Sequence, residues 1–216
     1  MRKFRKILAV ARMASCLMVL ALNGCSMGPA ETTPVRTYLL DPDIAVKNIS
    51  ADSARGNHAT LLISIPKAQP GFDTPRMAYL RRQHELSYYA LNQWADTPAR
   101  MLLRPLAQAM EGSGLWRAVV QAPSPVRADY RLDCDNLVLE QQFFSRSQVR
   151  LALRARLIDV KRQSVIGAHS FEIFEASSSE DAYGGVVAAN RASTKLLDQM
   201  TDWLTTVMEE KIAGGQ

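Results

Sequence analysis

Cysteine is scarce, with three in 216 residues, too few for the disulfide framework of a small secreted domain. Glycine (11) and proline (10) are too few for a collagen-like or low-complexity chain. Acidic residues are absent from positions 1–24, where Arg2, Lys3, Arg5, Lys6 and Arg12 hold five of the 26 Lys+Arg. The remaining 21 bases face 21 Asp+Glu, so the chain beyond residue 24 is formally neutral. A basic surface for nucleic acid needs positive charge in the folded part, so no nucleic-acid partner is expected.

The three histidines, His58, His84 and His169, have no second ligand at metal spacing. His84-Glu85 lacks the second His of a metalloprotease helix. There is no G-x-S-x-G elbow, P-loop, G-x-G-x-x-G or C-x-x-C. No catalytic residue, metal ligand or cofactor is therefore assigned. Asp129, Asp133 and Asp135 share a strand face with Arg131 and read as solvated surface.

What is present begins with export. Met1–Lys6 is basic, and the apolar core Met13–Leu22 follows Arg12. About ten residues suit a signal-peptide core and are too short to span a bilayer. The run ends in Leu22-Asn23-Gly24-Cys25, which resembles the lipobox of bacterial lipoproteins. A Cys is required because its thiol is alkylated by a diacylglycerol, and small Gly24 admits the peptidase. Met13-Ala14-Ser15-Cys16 is a poorer match, with only Ile7–Ala11 as its apolar core. Cys25 is the expected lipid attachment site. Two or three acyl chains make a stable anchor where one does not. Ser26, in place of Asp, points to the outer membrane by the sorting rule of that class.

Residues 1–24 thus read as a lipoprotein signal peptide, 25–36 as a lipidated tether and 37–212 as one folded domain. Strands are expected at Thr37–Leu40, Thr60–Ile65, Met77–Arg82 and Glu85–Trp94. A helix is expected from Asp96 or Thr97, with Pro98 in its first turn, an apolar face of Leu102, Leu106, Ala109 and Met110, and a kink at Pro105. In the next strand Tyr130, Leu132 and Cys134 alternate with acids and Arg131. The phase then changes to Leu137 and Leu139, which predicts a bulge near Asp135-Asn136. The unpaired thiol of Cys134 faces inward.

Val149 to Leu157 alternates with Arg150, Arg154 and Arg156. These read first as the solvent face of an amphipathic sheet. They are also a candidate contact for a partner's carboxylates or for lipid headgroups. Val165–Phe174 follows as a strand. Ser177 and Glu180 suggest a capping box for a last helix, whose start Gly184-Gly185 would weaken. The fold class expected is α+β: a single domain, a mostly antiparallel sheet and two helices packed on one face.

Several pieces in order resemble one family: Thr37-Tyr38-Leu39-Leu40, Leu61 to Pro66, Met77-Ala78-Tyr79, Glu85-Leu86, Trp94-Ala95-Asp96 before Pro98, Asp129-Tyr130-Arg131-Leu132 and Asp202-Trp203-Leu204. With the lipobox, they resemble the ABC-type transport auxiliary lipoproteins, outer-membrane partners of MCE-domain (mammalian cell entry) lipid transport systems. The resemblance implies a non-enzymatic subunit, lipid-anchored at the periplasmic face of the outer membrane. It implies an MCE-domain protein and an inner-membrane ABC permease and ATPase as partners, with phospholipid contact and self-association open. The alternative is an envelope scaffold or assembly lipoprotein that regulates another periplasmic machine.

Overall fold

A computed structural model describes residues 33–44 and 59–214. The signal peptide, Cys25, most of the tether and His58 lie outside the described residues.

The longest elements form where apolar alternation is longest. Strands β6 (Tyr130–Phe143), β7 (Ser147–Asp159) and β8 (Ser164–Ala176) make an antiparallel meander. Leu132, Cys134, Leu137 and Leu139 of β6 and Val149, Leu151, Leu153, Ala155 and Leu157 of β7 turn to one face and are buried. The bulge falls where the phase changes: register shifts between Asp135 and Val138, and Asn136 takes φ 56°. Asn tolerates that left-handed conformation better than most residues.

Five short strands complete the sheet: β1 (Arg36–Tyr38), β2 (Thr60–Ile63), β3 (Arg76–Leu80), β4 (Leu86–Trp94) and β5 (Ala118–Gln121). The first half of β6 pairs with β2, which pairs with β5; its second half pairs with β3, followed by β4 and β1. The pairs β1–β4, β2–β5, β2–β6 and β3–β6 are parallel, while β3–β4, β6–β7 and β7–β8 are antiparallel. The sheet is thus mixed, which corrects the expectation of a mostly antiparallel one. Parallel neighbours need a crossover. Helix α1 (Pro98–Gly112) lies in the chain between β4 and β5 and returns β5 and β6 parallel to β2 and β3.

Helix α1 starts as its sequence suggests. Thr97 is its cap, accepting a hydrogen bond from the Arg100 amide, and Pro98 sits in its first turn. Leu102, Leu106 and Met110 are fully buried, and the helix continues through buried Pro105 to Gly112. Helix α2 (Ala182–Gly214) has 33 residues and is roughly 50 Å long. It buries Val186, Ala189, Leu196, Met200 and Leu204 against β7 and β8, with Trp203 and Val207 half-buried beside them. Each fully buried Leu contributes about 1.5–3 kcal/mol. The result is an α+β domain with one core between the sheet and both helices.

The start of α2 differs from the expectation. Ser177 directly follows the end of β8, its amide bonding to the Ser147 carbonyl. Asp181 caps the helix instead, its Oδ1 accepting from the Gly184 amide (2.8 Å) and the Ser179 hydroxyl (2.6 Å). Gly184 and Gly185 lie inside the helix and permit close approach. A Cβ at Gly184 would collide with the Ser179 backbone, and one at Gly185 with the Gln141 amide.

Candidate functional site

Alternation along β7 puts Arg150, Arg154 and Arg156 on the sheet face opposite the helices, as the sequence predicts. Register then decides what each meets. Arg150 donates from Nε to Glu172 of β8 (2.7 Å) and reaches Glu140 of β6 from Nη1 (3.5 Å). Glu140 is 5% exposed and also accepts from Gln142. Arg156 donates from Nη2 to Asp135 (2.5 Å). Arg154 lies opposite Asp135 on one side and Ser170 on the other, is exposed, and has no ion pair among the described residues.

The face is therefore an ion-pair lattice rather than a row of free donors. Arg131 extends it with a two-point contact to Asp133 (3.0 and 3.1 Å), which also accepts from the Ser64 hydroxyl. Of the aspartates expected to be solvated, Asp133 and Asp135 are thus half-buried partners of arginines, while Asp129 is exposed and accepts from the Thr60 amide (2.7 Å). A polar depression of about 260 Å³, lined by Ser64, Lys67, Arg131, Asp133, Asp135 and Arg156, lies beside β2. In its wall, Asp135 Oδ1 and Arg156 Nε are buried without protein partners. Arg131 also borders a wider depression of about 580 Å³ at the end where β6 begins, with Leu62, Val126, Arg127, Asp129, Val160 and Lys161. The wider depression, basic at Arg127, Arg131 and Lys161 and apolar at Leu62, Val126 and Val160, suits an acidic, partly apolar surface.

Cys134 faces the core at 3% exposure, as its phase predicts. Burial pushes its thiol up to about 12, with the charges of Asp133 and Asp135 adding to the rise. It stays a thiol near neutrality and cannot serve as a nucleophile. Among the described residues there is no group of three His, Cys, Asp or Glu that could hold a metal ion.

Two polar nodes on the helix side were not singled out from the sequence. Gln141 donates to the Ser147 hydroxyl (2.8 Å) and the Asp181 carbonyl (3.1 Å) and accepts from the Tyr89 hydroxyl (3.0 Å). Burial raises the Tyr89 pKa to about 12. At the other end of α2, Lys211 donates to Asp159 (2.6 Å) and Tyr130 (2.7 Å). The Lys211 bond and the Arg162 amide hold Asp159 below the usual carboxylate range, against burial. Burial pulls Lys211 down, but its bonds to Asp159 and Tyr130 hold it above its ordinary value. The signal was present: Gln141 continues the inward phase of Leu137 and Leu139, and Asp159 that of Leu157. A polar residue at an inward position needs a buried partner.

These residues are carried on an α+β scaffold with one core. The chain belongs to the ABC-type transport auxiliary lipoprotein component family, whose model matches residues 38–201. Among solved structures, a Xanthomonas campestris protein of the DUF330 family is similar at 24% identity, covering 84% of this chain and 96% of its own, with a TM-score of 0.65. A second, an uncharacterized protein, aligns at 11% identity over 79% of this chain and 98% of its own, with a TM-score of 0.57. Both likenesses concern the fold. No curated protein matches the sequence. Among the described residues no helix is long and apolar enough to cross a membrane.

Proposed function

We propose that this chain is the outer-membrane-anchored lipoprotein subunit of an MCE/ABC-type system that moves phospholipid between membranes. Residues 1–24 direct export, Cys25 carries the lipid, residues 25–36 are the tether, and residues 37–212 dock the periplasm-spanning MCE protein. The observation that carries this reading is the family match over residues 38–201, in a chain that also holds Leu22-Asn23-Gly24-Cys25. The chain has no P-loop, so the partner ATPase supplies the energy. Its work is binding rather than catalysis.

The arginine face is the proposed contact, centred on Arg154, since Arg150 and Arg156 are already engaged by Glu140, Glu172 and Asp135. An exposed guanidinium beside a lattice of satisfied pairs can take a partner carboxylate or a phosphate without breaking an internal bond. The anchor is tested by metabolic labelling with palmitate, followed by separation of inner and outer membranes. The wild-type chain is expected to carry label and to band with the outer membrane, and Cys25→Ala to lose the label. Undiminished label in Cys25→Ala, or wild-type protein in the inner membrane, contradicts the reading.

A further inference from the structure

Two turns project together from one end of the sheet. Arg81–Glu85 joins β3 to β4, and Phe144–Arg146 joins β6 to β7. Leu80 lies opposite Gln142, so both turns leave the sheet at the same level. Phe144 is 46% exposed and Leu86, at the base of the first turn, 37%. The two turns also carry Arg81, Arg82 and Arg146, with Glu85 as the acid within them. The Arg81 guanidinium lies 5.7 Å from the Phe143 ring centre and 5.8 Å from that of Tyr79. Arg82 is 85% exposed, and its contact with Glu85 is loose at 3.9 Å. Glu180 and Asp181 are at the same end but on the helix layer, and Asp181 is occupied as the α2 cap.

We infer that these two turns form a membrane-contacting tip, in which Phe144 enters the interface of an anionic phospholipid surface and Arg81, Arg82 and Arg146 meet its phosphates. An exposed aromatic ring in turns that carry three arginines has the chemistry of a membrane-interface anchor. The direction of the chain supports the same end. Strand β1 is parallel to β4, and β4 runs away from the tip, so Arg36 is the end of β1 nearer the tip. Arg36 pairs with Asn92, about 20 Å along β4 from Leu86. The residues from Cys25 to Val35 span at most about 40 Å when extended. That length lets the anchor and the tip sit on one surface, with the depressions at the Tyr130 end of β6 directed away from the membrane. The inference rests on lipid attachment at Cys25 and adds a surface and an orientation to it.

The test uses full-length lipidated protein in vesicles of phosphatidylethanolamine and phosphatidylglycerol with brominated acyl chains. Phe144→Trp is compared with Val126→Trp, which lies at the opposite end and is 50% exposed. Each is read against the unsubstituted protein, which carries Trp94, Trp116 and Trp203. Flotation first reports anchoring. The Phe144→Trp emission is then expected to shift to the blue and lose intensity, and the Val126→Trp emission to do neither. In vesicles of phosphatidylcholine alone, or with Arg81, Arg82 and Arg146 all changed to Gln, the quenching is expected to weaken. A protein that floats without quenching at Phe144→Trp, or with equal quenching at both ends, overturns the tip while leaving the anchor intact. A protein that does not float overturns the anchor, and the orientation falls with it.

Discussion

Arg150 and Arg154 both face outward near the middle of β7, with Ala152 between them, but differ in what a charge reversal would do. Alternation made their face legible, and likewise the inward face of Cys134. The ion pairs were not legible, because they depend on which residues β6 and β8 set opposite. Arg150→Glu would place a carboxylate beside Glu140, which is buried, and beside Glu172. It is expected to destabilise the fold by about 1–3 kcal/mol. Arg154→Glu sits on the solvent face and is expected to change stability by no more than about 0.5 kcal/mol. It should nevertheless weaken capture of the acidic partner and flatten its loss with salt, because fewer attractive charges remain to be screened. Denaturant midpoints and pull-downs at two salt concentrations separate these effects. Unchanged capture by folded Arg154→Glu would remove this face from the interface.

At the scale of elements, helix α2 shows how a sequence signal can be read with the wrong sign. Gly184-Gly185 looks like a weakened first turn, and Ser177 with Glu180 looks like a cap. The structure uses the glycines to bring the first turn against Ser179 and the buried Gln141, and uses Asp181 as the cap. Local propensity lost to tertiary packing. In an exposed helix, Gly→Ala gains about 1 kcal/mol. Gly184→Ala is instead expected to cost about 1–3 kcal/mol, because the new methyl meets backbone rather than a yielding side chain. Equilibrium unfolding in urea decides this, and a more stable Gly184→Ala would contradict the packing described. Strand β5 escaped notice for a simpler reason: four residues carry too little alternation to stand out from a loop.

The other end of α2 is fastened by Lys211 to Asp159, and its middle by Arg191 and Lys195 to Glu175 of β8. Both carboxylates are held below their ordinary values of 3.8 and 4.5, Asp159 chiefly by its bond to Lys211 and Glu175 chiefly by its bond to Lys195. Their stabilisation is complete above those values and is lost as pH falls through the lowered ones. Lys211 is raised above 10.5, so its contribution is present below that pH and is lost as pH rises through the raised value. Stability is thus expected to fall below about pH 4.5 and again in alkali. Lys211→Met should flatten the alkaline limb and soften the acid one. A wild-type stability that does not change between pH 5 and pH 2 would contradict these pairings.

At the scale of the whole molecule, the β6–β7–β8 meander and the two helices were legible because their periodicities are long. The mixed character of the sheet was not, because the parallel partners are short strands brought together by a crossover. The functional account depends on what the molecule meets at its two ends, a membrane through its lipid and a transport system through its folded domain. The most direct measurement is affinity capture of the lipidated chain from mildly solubilised envelopes after brief cross-linking, with co-purified proteins identified by mass spectrometry. The account predicts recovery of an MCE-domain protein together with an ABC permease and ATPase, reduced for Arg154→Glu. Lipoprotein present in the envelope at its normal level but recovered without any MCE-domain protein would contradict it.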